Sequence, residues 1–152
     1  MKKAKKRNKG FSLIELLIVV AIILIIAAIA IPNLLKARRS ANEGSATASM
    51  RTIGSGELLY RSTQGVFTSL TGLSDDGVID NVLGSGHKSG YTFTATTPGG
   101  TLAPLQFTAT AEPIVSGGAT ASGVRTYFTD ETQVIRFSTT GPADSTSLPI
   151  GE

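Results

Sequence analysis

The sequence predicts an α+β protein, a long N-terminal α-helix packed on a four-stranded antiparallel β-sheet. Three observations carry this expectation. An apolar run begins at Phe11 and reaches Leu35. A helix-forming segment with one apolar face follows it to about residue 62. Beyond Gly90, apolar and polar side chains alternate with period two in short runs divided by turn residues. A sheet with one apolar face needs a cover, and the helix face supplies it.

The apolar run comes first. From Leu16 to Ile31 there is no polar side chain, and Leu34 and Leu35 extend the block past Pro32 and Asn33. As a helix, Leu16–Leu35 is roughly 30 Å long, the thickness of a bilayer's hydrocarbon. Glu15 is the one charge inside the run from Phe11 to Leu35. An ionised carboxylate in hydrocarbon costs about 2.5–3.5 kcal/mol on insertion scales, so it calls for a partner. At a bilayer edge it can instead snorkel to water.

Residues 36–62 continue the helix toward the head. Ala46, Met50, Ile53 and Tyr60 share one face, and Glu57 falls on it and breaks the pattern. Gly44, Gly54 and Gly56 each weaken a helix by about 1 kcal/mol relative to Ala, so this half needs a domain behind it. Pro32 removes one backbone hydrogen bond and is expected to kink or soften the helix.

Residues 63–90 read as a glycine-punctuated linker. Within it, Ser74 is placed to cap a short helix from Asp75 to about Leu83, with Gly84 ending it. Asp75, Asp76, Asp80 and Asn81 lack the alternate-oxygen spacing, central Gly and distal Glu of a calcium loop. Four strands are then expected. Tyr91, Phe93 and Ala95 alternate with threonines, and Pro98-Gly99-Gly100 turns the chain. Leu105, Phe107, Ala109 and Ala111 form the second run, and Val124 to Thr129 the third. Gln133 to Ser138 forms the fourth, after a tight connection at Asp130-Glu131-Thr132. The tail from Gly141 is expected to be irregular. The domain plan is thus a leader at 1–10, a membrane-spanning helix at 11–35, its continuation at 36–62, and a β head with an α/β linker at 63–152.

Charge excludes several function classes. The formal net charge is +3, but six of the 14 basic residues are Lys2, Lys3, Lys5, Lys6, Arg7 and Lys9. Without residues 1–10, 8 basic residues face 11 acidic ones, a net of −3. The basic character is therefore a topology signal that holds the N-terminus in the cytoplasm, and no nucleic-acid partner is expected. Lys36, Arg38 and Arg39 oppose it with fewer charges. There is no cysteine, so neither a disulfide nor thiol chemistry is available. His87, the one histidine, lies in a Gly/Ser loop beside Lys88. No carboxylate pair, metal cluster, nucleotide loop or nucleophile motif is present, so no catalytic residue, metal or cofactor is expected. A secretory signal cleaved near Ala27-Ala28-Ile29-Ala30 is disfavoured by the length of the apolar run and by Glu15.

The residues Lys9-Gly10-Phe11-Ser12-Leu13-Ile14-Glu15-Leu16 resemble the processing site of type IV pilin precursors and the related pseudopilins. The resemblance covers residues 1 to about 60. It implies a pilin-like fold and cleavage between Gly10 and Phe11 by a prepilin peptidase that also N-methylates Phe11. It makes Glu15 the assembly residue and Pro32 the helix kink. It also implies a homo-oligomeric or mixed filament, inner-membrane assembly machinery, and membrane lipid around the helix before assembly. The expected location is the bacterial cytoplasmic membrane, head outward, and then the cell-surface pilus. A pseudopilin of a type II secretion system is the second reading, ranked lower because the tail lacks a clear match to that family's calcium carboxylates. A single-span anchored domain that never polymerises is the third.

Overall fold

The computed structural model of the chain describes residues 10–97 and 106–151. The leader residues 1–9, the turn expected at Pro98-Gly99-Gly100, and Leu105 at the head of the second expected strand lie outside the described residues. The chain divides into two compact units, Met1–Leu34 and Leu35–Glu152. Helix α1, Leu13–Gln64, contributes its first part to one unit and its second part to the other.

In the first unit α1 is apolar all round and exposed all round. Helical backbone continues through Pro32. In the second unit α1 has one buried stripe, because the sheet covers it there. Ala46, Met50 and Ile53 have no exposed surface, and Tyr60 packs against the same core. Gly54 and Gly56 belong to this stripe. A Cβ on Gly56 would stand 3.1 Å from Val78 Cγ1, so the small residue lets the loop at Val78 approach the helix.

The linker holds two short helices, α2 at Leu70–Asp75 and α3 at Asn81–Gly84. The single helix expected from Asp75 to Leu83 is therefore corrected. Gly77 adopts φ 69°, and the N–H groups of Val78 and Ile79 both turn back to the Leu73 carbonyl at 2.9 and 3.3 Å. This reversal ends α2 at Asp75, the residue at which the expected helix was to begin. The caps are Ser69, accepting from Gly72 N–H, and Asp80, accepting from Leu83 N–H at 2.8 Å. Ser74 instead donates to Asn81 Oδ1 at 2.9 Å.

Among the described residues the sheet has six strands, not four: β1 His87–Lys88, β2 Tyr91–Thr96, β3 Thr108–Pro113, β4 Thr126–Asp130, β5 Arg136–Ser138 and β6 Leu148–Pro149. They run in chain order, each antiparallel to the next. The added strands are the two edges, each two residues long, too short for any alternation to show. β6 also corrects the irregular tail. Ile150 N–H donates to the Ile135 carbonyl at 2.8 Å, holding the tail beside β5. β5 starts three residues later than expected. Gln133 takes φ 62° and donates to the Asp130 carbonyl, which keeps it in the turn.

Registers Phe93↔Ala111 and Ala111↔Tyr127 put the apolar positions of β2, β3 and β4 on one face. That face meets α1, and Tyr91, Phe93, Ala109, Ala111 and Tyr127 join Ala46, Met50 and Ile53 in one core. On the opposite face Thr94 and Thr110 pair through their hydroxyls at 2.7 Å.

Glu57 lies inside this core with no exposed surface. One carboxylate oxygen accepts from Thr68 N–H at 3.0 Å, and the other has no hydrogen-bond partner. Burial pushes the carboxyl up to about 7, against the opposing pull of the Thr68 N–H. An acid raised by folding keeps its proton over a range in which the unfolded chain has lost it. Its contribution to stability is full below an unfolded pKa of 4.5 and is lost as pH rises through about 7. The shift corresponds to roughly 3 kcal/mol. Thermal unfolding followed by circular dichroism should show the head melting higher near pH 5 than near pH 8. Glu57→Gln should raise the melting temperature at the higher pH and flatten this dependence.

Candidate functional site

The residues singled out for function cluster at the start of α1, with Pro32 apart from them. Gly10 and Phe11 are exposed, Phe11 at 89%. Ser12 precedes the first helical residue, and its carbonyl accepts from Leu16 N–H at 3.3 Å. Glu15 reaches back so that Ser12 N–H donates to its Oε2 at 2.8 Å. This is the glutamate half of a capping box. The signal was present as Ser12-x-x-Glu15, a spacing that marks a helix start without any knowledge of function.

The cap changes how Glu15 is understood. It is not an idle acid, because in the uncut chain it satisfies one of the free amides of the first turn. A single neutral N–H does not, however, balance a full negative charge in a low dielectric. What the structure shows of Glu15 is the cap, one oxygen held on the Ser12 N–H.

Behind it stands a continuous apolar surface. Sixteen large apolar side chains between Phe11 and Leu34 are exposed. Soluble monomers rarely expose contiguous apolar patches of more than a few hundred Å², so this surface requires lipid or other helices around it.

In the second unit, polar side chains of α1 hold the loop between β3 and β4. Arg39 Nη2 donates to the Gly118 carbonyl at 3.1 Å, and Asn42 Nδ2 to the Ser122 carbonyl at 2.9 Å. Glu43 Oε1 accepts from Val124 N–H at 2.8 Å and from Arg125 N–H at 3.4 Å. None of these ties was anticipated, since each joins positions about 80 residues apart. His87 is an exposed edge residue, its Nδ1 3.3 Å from Thr92 Oγ1. Lys88 pairs with Asp80 at 2.9 Å and holds that carboxyl below its usual range, with help from the Leu83 N–H. Among the described residues no group of three or more His, Cys, Asp or Glu is placed to hold a metal ion.

The exposed apolar half of α1, capped at Glu15 and long enough to cross a membrane, places the chain among proteins with an N-terminal helix of membrane-spanning length and composition. Comparison with known proteins narrows this group. Residues 5–31 match the prokaryotic N-terminal methylation motif. The chain is 47% identical over 64 residues to the type IV wide pilus major component PilA4 of Thermus thermophilus, covering 42% of this chain and 49% of that protein. It is 33% identical over 145 residues to the type IV major pilin protein PilA of Myxococcus xanthus, covering 90% of this chain and 62% of that one. The chain thus spans less than two thirds of either relative. No solved structure matches it. The chain is thus similar to type IV pilins in its N-terminal methylation motif and over most of its own length.

Glu43→Ala should destabilise the head by about 1 kcal/mol, because water replaces only in part the carboxylate that serves two exposed backbone donors of the β3–β4 loop. Chemical denaturation of the detergent-solubilised chain checks this, and an unchanged midpoint would show that water replaces the carboxylate at no cost.

Proposed function

We propose that the chain is a subunit of a type IV pilus, cut between Gly10 and Phe11 by a prepilin peptidase, N-methylated on Phe11, and polymerised through α1. The observation that carries this reading is Glu15 at the mouth of a wholly exposed apolar helix. Cleavage at that junction would create an ammonium group on Phe11, four residues from Glu15. A neighbouring copy shifted along the axis would bring its own ammonium to this carboxylate. Moving the helix from lipid to other helices changes apolar burial little, so packing and this ion pair would set direction and register. Pro32 would serve as the kink that lets the helix adapt to its neighbours, since its ring removes the hydrogen bond to the Ala28 carbonyl.

Before assembly the subunit would sit in the inner membrane with its head outside the cytoplasm, as the basic leader orients it. Its partners would be the peptidase and methyltransferase, the inner-membrane assembly machinery, and copies of itself or of related pilins. Both curated relatives carry pilus names, which favours a surface pilus over a type II secretion pseudopilus.

The cap on Ser12 and the proposed ion pair give the test. Glu15→Gln keeps an oxygen for Ser12 N–H and loses the charge, whereas Glu15→Ala loses both. Both variants should insert and be cleaved, and neither should enter filaments sheared from the cell surface. Gln filaments at wild-type yield would refute the ion pair and leave capping as the role of this residue.

A further inference from the structure

We propose that the β3–β4 loop is a second membrane contact, in which Ile114 and Val115 dip into the outer face of the bilayer while Lys36 and Arg38 meet anionic lipid headgroups. The inference rests on the reading that residues 11–35 span the membrane.

The placement follows from the covalent chain. Leu35 ends the apolar run, so it marks the outer boundary of the hydrocarbon. In the second unit, one cavity is lined by Leu35 and Arg38 on α1 and by Ile114 and Val115 on the loop. The loop therefore lies beside the residue at which the helix leaves the bilayer.

Its chemistry suits an interface. Ile114 and Val115 are 57% and 46% exposed, two adjacent apolar side chains only about half covered by protein. A segment that enters apolar surroundings must first satisfy its backbone. Here Ile114 N–H donates to the Gly90 carbonyl at 2.9 Å. Val115 N–H donates to Ser122 Oγ at 3.1 Å, and the Val115 carbonyl accepts from Ser122 N–H at 2.9 Å. The loop is also held in place, by Arg39 on the Gly118 carbonyl and Asn42 on the Ser122 carbonyl.

The charge is complementary to lipid phosphate. Lys36 and Arg38 are exposed on the α1 turns next to Leu35, and Arg39 adds a third cation. Juxtamembrane Lys and Arg each contribute about 1 kcal/mol toward an anionic surface. The opposing acids are Glu43, engaged by Val124 and Arg125, and Glu112, exposed two residues before Ile114. The occupant is therefore the lipid surface itself, which Leu35 already touches in the spanning arrangement.

The chain contains no tryptophan, so a single introduced one reports its own surroundings. Val115→Trp, Val82→Trp and Val20→Trp would be placed separately in the full chain. Each variant is reconstituted into vesicles of brominated phosphatidylcholine, with and without phosphatidylglycerol. Trp emission from the first variant should be quenched by brominated lipid and several-fold less by aqueous iodide than emission from the second. Adding Lys36→Gln and Arg38→Gln should remove the extra bromolipid quenching that phosphatidylglycerol confers. Ile114→Trp repeats the measurement should the first variant fold poorly. If the third variant is quenched by bromolipid while the two loop variants respond to iodide as the Val82 variant does, the loop contact is overturned and the membrane helix stands. If the third variant also escapes bromolipid, the spanning reading falls and the loop contact with it.

Discussion

The first half of α1 presents an exposed apolar surface, and one carboxylate stands at its entrance. Water is a poor solvent for that surface, and hydrocarbon is a poor solvent for that charge. Lipid meets the first need and not the second. A bundle of identical helices meets both, provided each brings a cation to the level of its neighbour's glutamate. The Ser12 cap adds a refinement. It fixes the first turn and aims the carboxylate, so the group is already positioned before any partner arrives.

The second half of the same helix solves the opposite problem. Its apolar stripe is narrow and is covered by the sheet, so a polar helix weakened by three glycines becomes the spine of a folded head. Two of those glycines are buried in the stripe, where they allow neighbours close. Glu57 is the exception inside this core. It is held by one loop amide and carries a raised pKa as the cost of its burial. Side chains of Arg39, Asn42 and Glu43 then bind the long β3–β4 loop to the helix.

Much of this was legible in the sequence, and the remainder was not for identifiable reasons. The face of Ala46, Met50 and Ile53 follows from helical spacing, and the alternation of Tyr91, Phe93 and Ala95 from strand spacing. Strands β1 and β6 were hidden because two residues carry no period. The break between α2 and α3 turned on Gly77 taking a left-handed conformation, which its identity permits without requiring. The start of β5 turned in the same way on the backbone of Gln133. At the functional end the reverse holds. Glu15 stands out as the one charge in an apolar run, the Ser12-x-x-Glu15 box was readable beside it, and the roles expected of Gly10 and Phe11 rest on the resemblance to pilin precursors. What spacing cannot show is the β3–β4 loop returning to α1, since nothing local encodes a contact across 80 residues.

The central claim is that Glu15 exists to meet an amine created by cutting the chain beside Phe11. Intact mass of the protein recovered from cells tests this most directly. The account predicts a chain that begins at Phe11 and carries one added methyl group on its amino terminus. A protein that still begins at Met1 would contradict it, because Phe11 would then hold a neutral amide with no charge to offer its neighbour.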